Sequence, residues 1–521
     1  MQYDILIKNA TIFDGTNSKS FRSNILIKNG KIIKIGEAVD EKFCSQIINA
    51  EKKYVCPGFI DINNSSDHYL TLLSSPNCAN FIKQGITTII GGHCGTSLAP
   101  LIKNQLSSFD PWTNTDNLNT NWKTLKSFFD YLETKQLGVN FGTLIGWNVI
   151  RSGLIGENFK NLTDFELKQL LILTKQSIKE GALGVSFGLG YPSGRAISKR
   201  EITAVFKELK KHSAVFSFHL RDESNTFIDA LKEVVDIAQQ HRANTLISHL
   251  KVQGKNNFEN FDQAINIINQ ANQPKDPFIH FDIYPYDYIC QSIYNLLPDW
   301  LTIGGTSAIK KNLSDPLIVK KLAKDLKENK DIYKNLIIVD IEKRFNIFKN
   351  KTIEQVAKNM DTTTENALIK ILSLAQKQII VLNQNLSQKN IDIGIKNQYS
   401  IPATNGISFD HNKNNTGFCH QRSIGSFPKY LSTYQKTIPF ETLIYKITGL
   451  VKEKLNLKTK GIIASNQDAD ITIINPQTIQ DNSTIQNPLA EPKGIETVII
   501  NGQIVFNKGF ILEKSAGKII K

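Results

Sequence analysis

Apolar residues recur at every second position in YDILIKNATIFD and NILIKNGKIIKIG near the start of the chain, and again in ADITIINP and IETVIINGQIVFNKG near its end. That period, broken by Asn-Gly and Asp-Gly pairs, predicts β-hairpins. Two β-rich ends around a different middle predict one small sheet domain assembled from residues 1–57 and 458–521. Between them the pattern changes. Short, nearly continuous apolar runs alternate with amphipathic helical stretches such as DFELKQLLILTKQSIKEG. The runs are GFIDI (58–62), TTIIG (87–91), GTLIG (142–146), LGVSFG (183–188), VFSFHL (215–220), TLISHL (245–250), FIHFDIYPY (278–286) and SIPATNG (400–406). Such runs suit strands buried on both faces, as in parallel sheets. Eight strand–helix units over residues 58–457 predict an α/β fold, a closed (β/α)8 TIM barrel. The stretch from 286 to 400 exceeds one crossover helix. It is predicted to hold an inserted helical subdomain, residues 296–397, over the barrel mouth.

Composition narrows the function classes without choosing one. The 521 residues carry a net charge of +14, but the surplus lysines are spread along the chain with no basic block interleaved with aromatics. Nucleic acid is therefore not an expected partner. No apolar run reaches the length of a membrane span, and the N-terminus lacks a basic-then-apolar leader, so neither membrane nor secretion is expected. Six scattered cysteines without a CxxC pair suit reduced thiols in a cytoplasm. Oligomeric state is not legible.

Candidate chemistry sits at strand ends, which in such a barrel form the reactive face. Cys94 follows the run TTIIGGHC in a Gly-rich turn, His219 ends AVFSFHL, and His249 ends NTLISHL. One thiolate with two imidazoles leaves a tetrahedral zinc one open position, the arrangement of a catalytic ion. His280 lies within its strand and is read as a core histidine. Cys44, Cys56, Cys78 and Cys290 are read as small buried hydrophobes.

Several longer motifs, in this order, carry a resemblance: CPGFID (56–61), GHCGTSLAP (92–100), GLGYPSG (188–194), FHLRDE (218–223), SHLKVQG (248–254), DIYPY (282–286), CHQRSIGSFPKYL (419–431) and DADITIINP (468–476). The chain resembles the amidohydrolase superfamily, specifically its N-acyl-D-amino-acid deacylase (D-aminoacylase) group. The resemblance implies a (β/α)8 barrel with a β-sandwich built from both termini, and a metal-dependent hydrolase of a small acyl-amino-acid amide with one zinc on Cys94, His219 and His249. It also implies substrate contacts from Lys251, Arg422, Tyr286 or Tyr284, and Tyr191.

The chain departs from the family pattern at three places. The family's His-x-His after the first strand is Asn63-Asn64-Ser65, and its Gly-His after the third strand is Gly146-Trp147. Its catalytic aspartate at the end of the eighth strand is Asn405. Losing the two histidines favours a mononuclear site. An amide cannot take a proton from water, so Asn405 leaves the reaction without its usual base. Asp410, four residues past the strand end, is a candidate substitute; His93, Asp67 and Asp287 are others nearby in sequence. Two readings follow: an amidohydrolase working on an N-acyl-D-amino acid, or a silent or repurposed relative that binds such a compound.

Overall fold

The computed structural model describes every residue except 1, 37–39, 104–105, 116–117, 158–159, 274–275, 376–377, 410–419 and 513–514. At its centre are two parallel sheets. One contains Phe59–Asp61, Ile86–Gly91 and Asn140–Thr143. The other runs from Ile145–Gly146 through Gly184–Gly188, Val215–His219, Thr245–Ile247 and Ile279–Ile283 to Ser400–Pro402. The sheets meet at Leu144, whose N–H donates to the Gly91 carbonyl. At the far edges, the Asn405 N–H donates to Asn63 O and the Ser65 N–H to Gly406 O, each at 2.8 Å. The first and last strands are thus joined just beyond their C-terminal ends. Most strand residues are fully buried, as their unbroken apolar runs require.

Helices cover the outside. Asp164–Lys179 shows why they form where they do: Thr163 and Glu166 make a reciprocal capping box, and Leu167, Leu170, Thr174 and Ser177 bury one stripe. Two lysines close the end opposite the site. Lys446 Nζ donates to Ile395 O, Asn397 O and Ser400 Oγ, and Lys454 Nζ to Thr245 O and Phe278 O. These acceptors lie near the strands' N-terminal ends, so both ammonium groups satisfy carbonyls that buried chain would otherwise leave unpaired.

Both termini contribute to one nine-stranded sheet. The halves join where Tyr54–Pro57 pairs antiparallel with Ile471–Ile474, and Tyr3–Ile12 lies next to Tyr54–Pro57. Alternate residues Ile5, Ile7, Ile25, Ile27, Ile471 and Ile473 fill a shared core.

The region 296–397, expected as a helical insertion, holds helices but is not helical alone. Beside helices such as Pro316–Glu328 it holds a four-stranded antiparallel sheet of Tyr288–Ser292, Ile379–Gln384, Ile337–Ile341 and Lys351–Thr352. One of these strands precedes residue 296. The runs IIVDI and IIVLNQ carry β-branched residues, but each is short and flanked by helical sequence. Apart from the short pairing with Lys351–Thr352, their partners lie in distant segments, Tyr288–Ser292 against Ile379–Gln384 and Ile337–Ile341 against Ile379–Gln384, and local periodicity does not register such pairing.

Candidate metal centre

Three strand ends bring Cys94, His219 and His249 together. One donor atom from each lies within 4.8 Å of the others. Cys94 Sγ stands 3.3 Å from His249 Nε2, and His219 Nδ1 stands 2.9 Å from the same nitrogen. The turn that carries Cys94 depends on its glycines: a Cβ on Gly92 would lie 2.0 Å from Leu144 O, with φ at +76°. Cys94 (φ 53°) and His249 (φ 38°) themselves adopt the left-handed region that non-glycine residues seldom occupy. Such backbone persists only where surrounding structure holds it, and it is concentrated at functional sites.

The electrostatics of these donors suit a cation. Burial pushes the Cys94 thiol up to about 12. Burial also pulls His249 down to about 4 and His219 well below the usual imidazole range. Two neutral imidazoles and a thiol therefore converge at the wall of a pocket. A thiol so placed ionises when a metal replaces its proton. One sulfur and two nitrogens fit a tetrahedral ion with a fourth position open to the pocket.

Glu223 anchors this arrangement. Its carboxylate accepts from Lys251 Nζ at 2.7 Å and Gln253 Nε2 at 2.9 Å, and lies 3.2 Å from His249 Nδ1. Burial opposes its ionised form, but Lys251 and the two histidines outweigh that and hold the carboxyl well below the usual range. His249 Nδ1 also lies 2.8 Å from Lys251 Nζ, so this ring nitrogen faces an ammonium, which only donates, as well as the Glu223 carboxylate. On the other side, Asp282 accepts from the His249 N–H and from both approaches of the Asn63 amide, at 2.9 and 3.1 Å. Burial raises Asp282 to about 7.

A pocket of about 490 Å³ opens beside the three donors. Tyr191, Lys251, Tyr284, Arg422 and Asn405 line it. Tyr191 packs 4.3 Å from the His219 ring, and the Arg422 guanidinium lies 5.1 Å from the Tyr284 ring. Tyr286 does not line the pocket. Its hydroxyl donates to Asp481 at 2.7 Å and Lys429 covers its ring, so of the two tyrosines Tyr284 faces the site. The strand ends at Ile283, and beyond it the two side chains no longer share a face. Lys251 arrives with its charge already paired to Glu223.

Of the candidate substitute bases, Asp410 lies outside the described residues. Asp287 accepts from Gln384 at the protein surface. His93 is buried with Nδ1 against Ser217 Oγ, and burial pulls it down to about 3. His280 is buried in the core, as expected. Sequence reasoning passed over Glu223 as a partner of His249, and it overlooked Trp112 and His68, which also line the pocket. The only signals were an acidic residue four positions past His219 and an Asp-His pair shortly after the first parallel strand.

No family model matches the chain. It is 24% identical to D-aminoacylase from Alcaligenes xylosoxydans xylosoxydans over 99% of this chain and 97% of that protein. It is also 24% identical to N-acyl-D-aspartate deacylase from the same organism, over 97% of this chain and 92% of that one. Among solved structures, N-acyl-D-glutamate deacylase from Bordetella bronchiseptica, complexed with zinc and a phosphonate inhibitor, superposes with TM-score 0.83 at 20% identity, covering 100% of both chains. A D-aminoacylase structure gives 0.82 at 23% identity, again over 100% of both. Along nearly its whole length the chain is similar in sequence to these N-acyl-D-amino-acid deacylases, and it shares the fold of the solved deacylase and D-aminoacylase structures.

Proposed function

We propose that the chain is a metal-dependent amidohydrolase that cleaves the linear amide of an N-acyl-D-amino acid, using one zinc on Cys94, His219 and His249. Residues 58–457 form a closed (β/α)8 barrel in this reading, with residues 296–397 as an insertion and residues 1–57 and 458–521 as a sandwich. The observation that carries the proposal is the convergence of a thiol and two neutral imidazoles beside a buried arginine. A zinc there supplies Lewis acidity and brings the pKa of water to about 7. Arg422, buried and stacked on Tyr284, binds the substrate carboxylate and so sets the amide's position. Glu223 and Asp282 keep His249 in place, one at the ring and one at the backbone. The Asn63 amide, tied to Asp282, takes the place of an imidazole and favours a single ion. The free cysteines suit a reducing cytoplasm.

A second reading has one specific observation behind it: Asn405, not a carboxylate, lines the pocket. In that reading the protein binds an acyl-amino acid and does not hydrolyse it. Zinc-loaded protein incubated with N-acetyl-D- and N-acetyl-L-amino acids separates the two by the release of free amine. Release from D substrates is expected. One zinc per chain with no amine released would overturn the hydrolase and leave the binding protein.

A further inference from the structure

The pocket holds an oriented histidine that the metal does not use. Asp67 and His68 follow the first parallel strand, and both side chains are buried, 1% and 4% exposed. The Asp67 carboxylate is held by backbone: Oδ2 accepts from the Gly92 N–H, and Oδ1 accepts from the His68 N–H at 2.9 Å. Oδ1 also lies 3.1 Å from His68 Nδ1. A carboxylate only accepts, so Nδ1 carries the proton and Nε2 keeps its lone pair. Among the described residues, Nε2 has no hydrogen-bond partner, and it is not one of the sealed, unpaired side-chain atoms. The ring stands edge-on to Trp112, with centroids 5.8 Å apart, and lines the same pocket as Cys94, His219 and Asn405.

The neighbouring groups are committed elsewhere. Glu223 is bound by Lys251 and Gln253. Asp282 is bound by Asn63 and the His249 N–H. Asp61 accepts from Thr404 and Asn64. Asn405 offers an amide. A histidine oriented by a buried carboxylate, with one nitrogen left for the pocket, is the arrangement that proton transfer requires.

We propose that His68 is the catalytic proton-transfer residue of this chain, with Asp67 as its positioning residue, a role that rests on the hydrolase reading above. An O–H bond of water breaks and its proton passes to His68 Nε2. The water oxygen's electron pair forms a C–O bond to the amide carbonyl carbon, and the carbonyl π pair moves to its oxygen. As that pair returns, the C–N bond breaks and the proton on Nε2 passes to the leaving nitrogen. The carboxylic acid so formed loses its remaining proton to the freed amine, leaving a carboxylate and an amino acid with a protonated amino group.

The test compares zinc-loaded wild type with His68→Gln and His68→Gly, following amine release from an N-acetyl-D-amino acid. Zinc content and melting temperature are measured on each to confirm an intact fold and metal site. The expected result is a fall in kcat of about 10²- to 10⁴-fold, with KM and zinc content little changed and partial recovery of His68→Gly by added imidazole. A structural role would not respond to imidazole. Histidine-labelled protein adds a readout independent of turnover: two-bond ¹H–¹⁵N correlation should show His68 protonated at Nδ1, and a proton fixed on Nε2 would overturn the proposal. An active wild type whose His68→Gln variant retains kcat within about threefold would overturn it while leaving the hydrolase intact. An inert, zinc-loaded wild type would instead remove the hydrolase reading and this role with it.

Discussion

The Ser65 hydroxyl lies 3.1 Å from Asn405 Oδ1 and donates to it, and this contact decides which end of the amide meets the pocket. With its oxygen engaged by Ser65, Asn405 is left to present its NH2 group, a donor where hydrolysis needs an acceptor. Asn405 also sits at φ 47°, in the left-handed region where Asn and Asp are the best tolerated side chains after glycine.

Asn405→Asp should therefore fold as well as the natural chain and add a carboxylate to the pocket that the proposed zinc ligands line. Amine release from N-acetyl-D-amino acids is expected to rise by about tenfold or more, within the range a well-placed general base supplies. An unchanged rate with full zinc occupancy would mean that this position is not where the proton moves.

Cys94→Ala removes the one anionic donor of the proposed zinc site. Metal analysis should show zinc falling from one per chain to a small fraction of that after dialysis against a mild chelator. Because the ion binds only the folded chain, wild type should also lose stability on chelation, about 4 kcal/mol at a zinc excess of about 1,000 times Kd. The variant's melting temperature should not respond to added zinc. A variant that keeps its zinc would place the ion elsewhere.

Among the described residues no carboxylate pairs with the buried Arg422 of the pocket wall, whereas Lys251 is already paired with Glu223. Arg422→Leu should raise KM for an N-acyl-amino acid about 10- to 100-fold, the loss of a charged hydrogen bond of about 1.5–3 kcal/mol. The same substitution should barely affect an N-acyl amine that lacks the carboxylate. Equal loss on both substrates would assign Arg422 a structural role.

Burial lowers Lys446 to about 7, against an ordinary lysine near 10.5. Between these values the unfolded chain binds a proton that the folded chain does not, so the contribution of this residue to stability rises with pH. It is fully present above about 10.5 and lost as pH falls to about 7. Urea unfolding of wild type and Lys446→Met at pH 7.5 and 9.5 checks the sign. The wild type should gain stability relative to the variant at the higher pH, by up to about 1.4 kcal/mol per pH unit. No change in the difference would show the ammonium staying charged among its three oxygen partners.

The alternation of strands and helices was legible because period-two and period-3.6 patterns are local. The convergence of Cys94, His219 and His249 was legible because each ends an apolar run, and Lys251, Arg422 and Tyr191, which share their pocket, stand in the longer motifs. Tyr284 and Tyr286 were not separable, since two tyrosines two residues apart look alike until the strand's end is known. The inserted sheet was missed because its strands pair across intervening helices. Glu223 looked like an ordinary charged residue after a strand, and its value comes wholly from His249, which is 26 positions away.

What the linear sequence determined by itself is the α/β alternation, the sheet shared between the termini, and the three donor residues at strand ends. These follow from side-chain periodicity and residue type, which need no partner. The tertiary structure alone decided which atoms are committed. Ser65 with Asn405, Asn63 with Asp282, and Asp67 with Gly92 and His68 determine which polar groups are spent on the protein and which remain for a substrate. Hydrogen bonding in a buried pocket is set by distances between side chains on separate strands, and no local pattern encodes those distances.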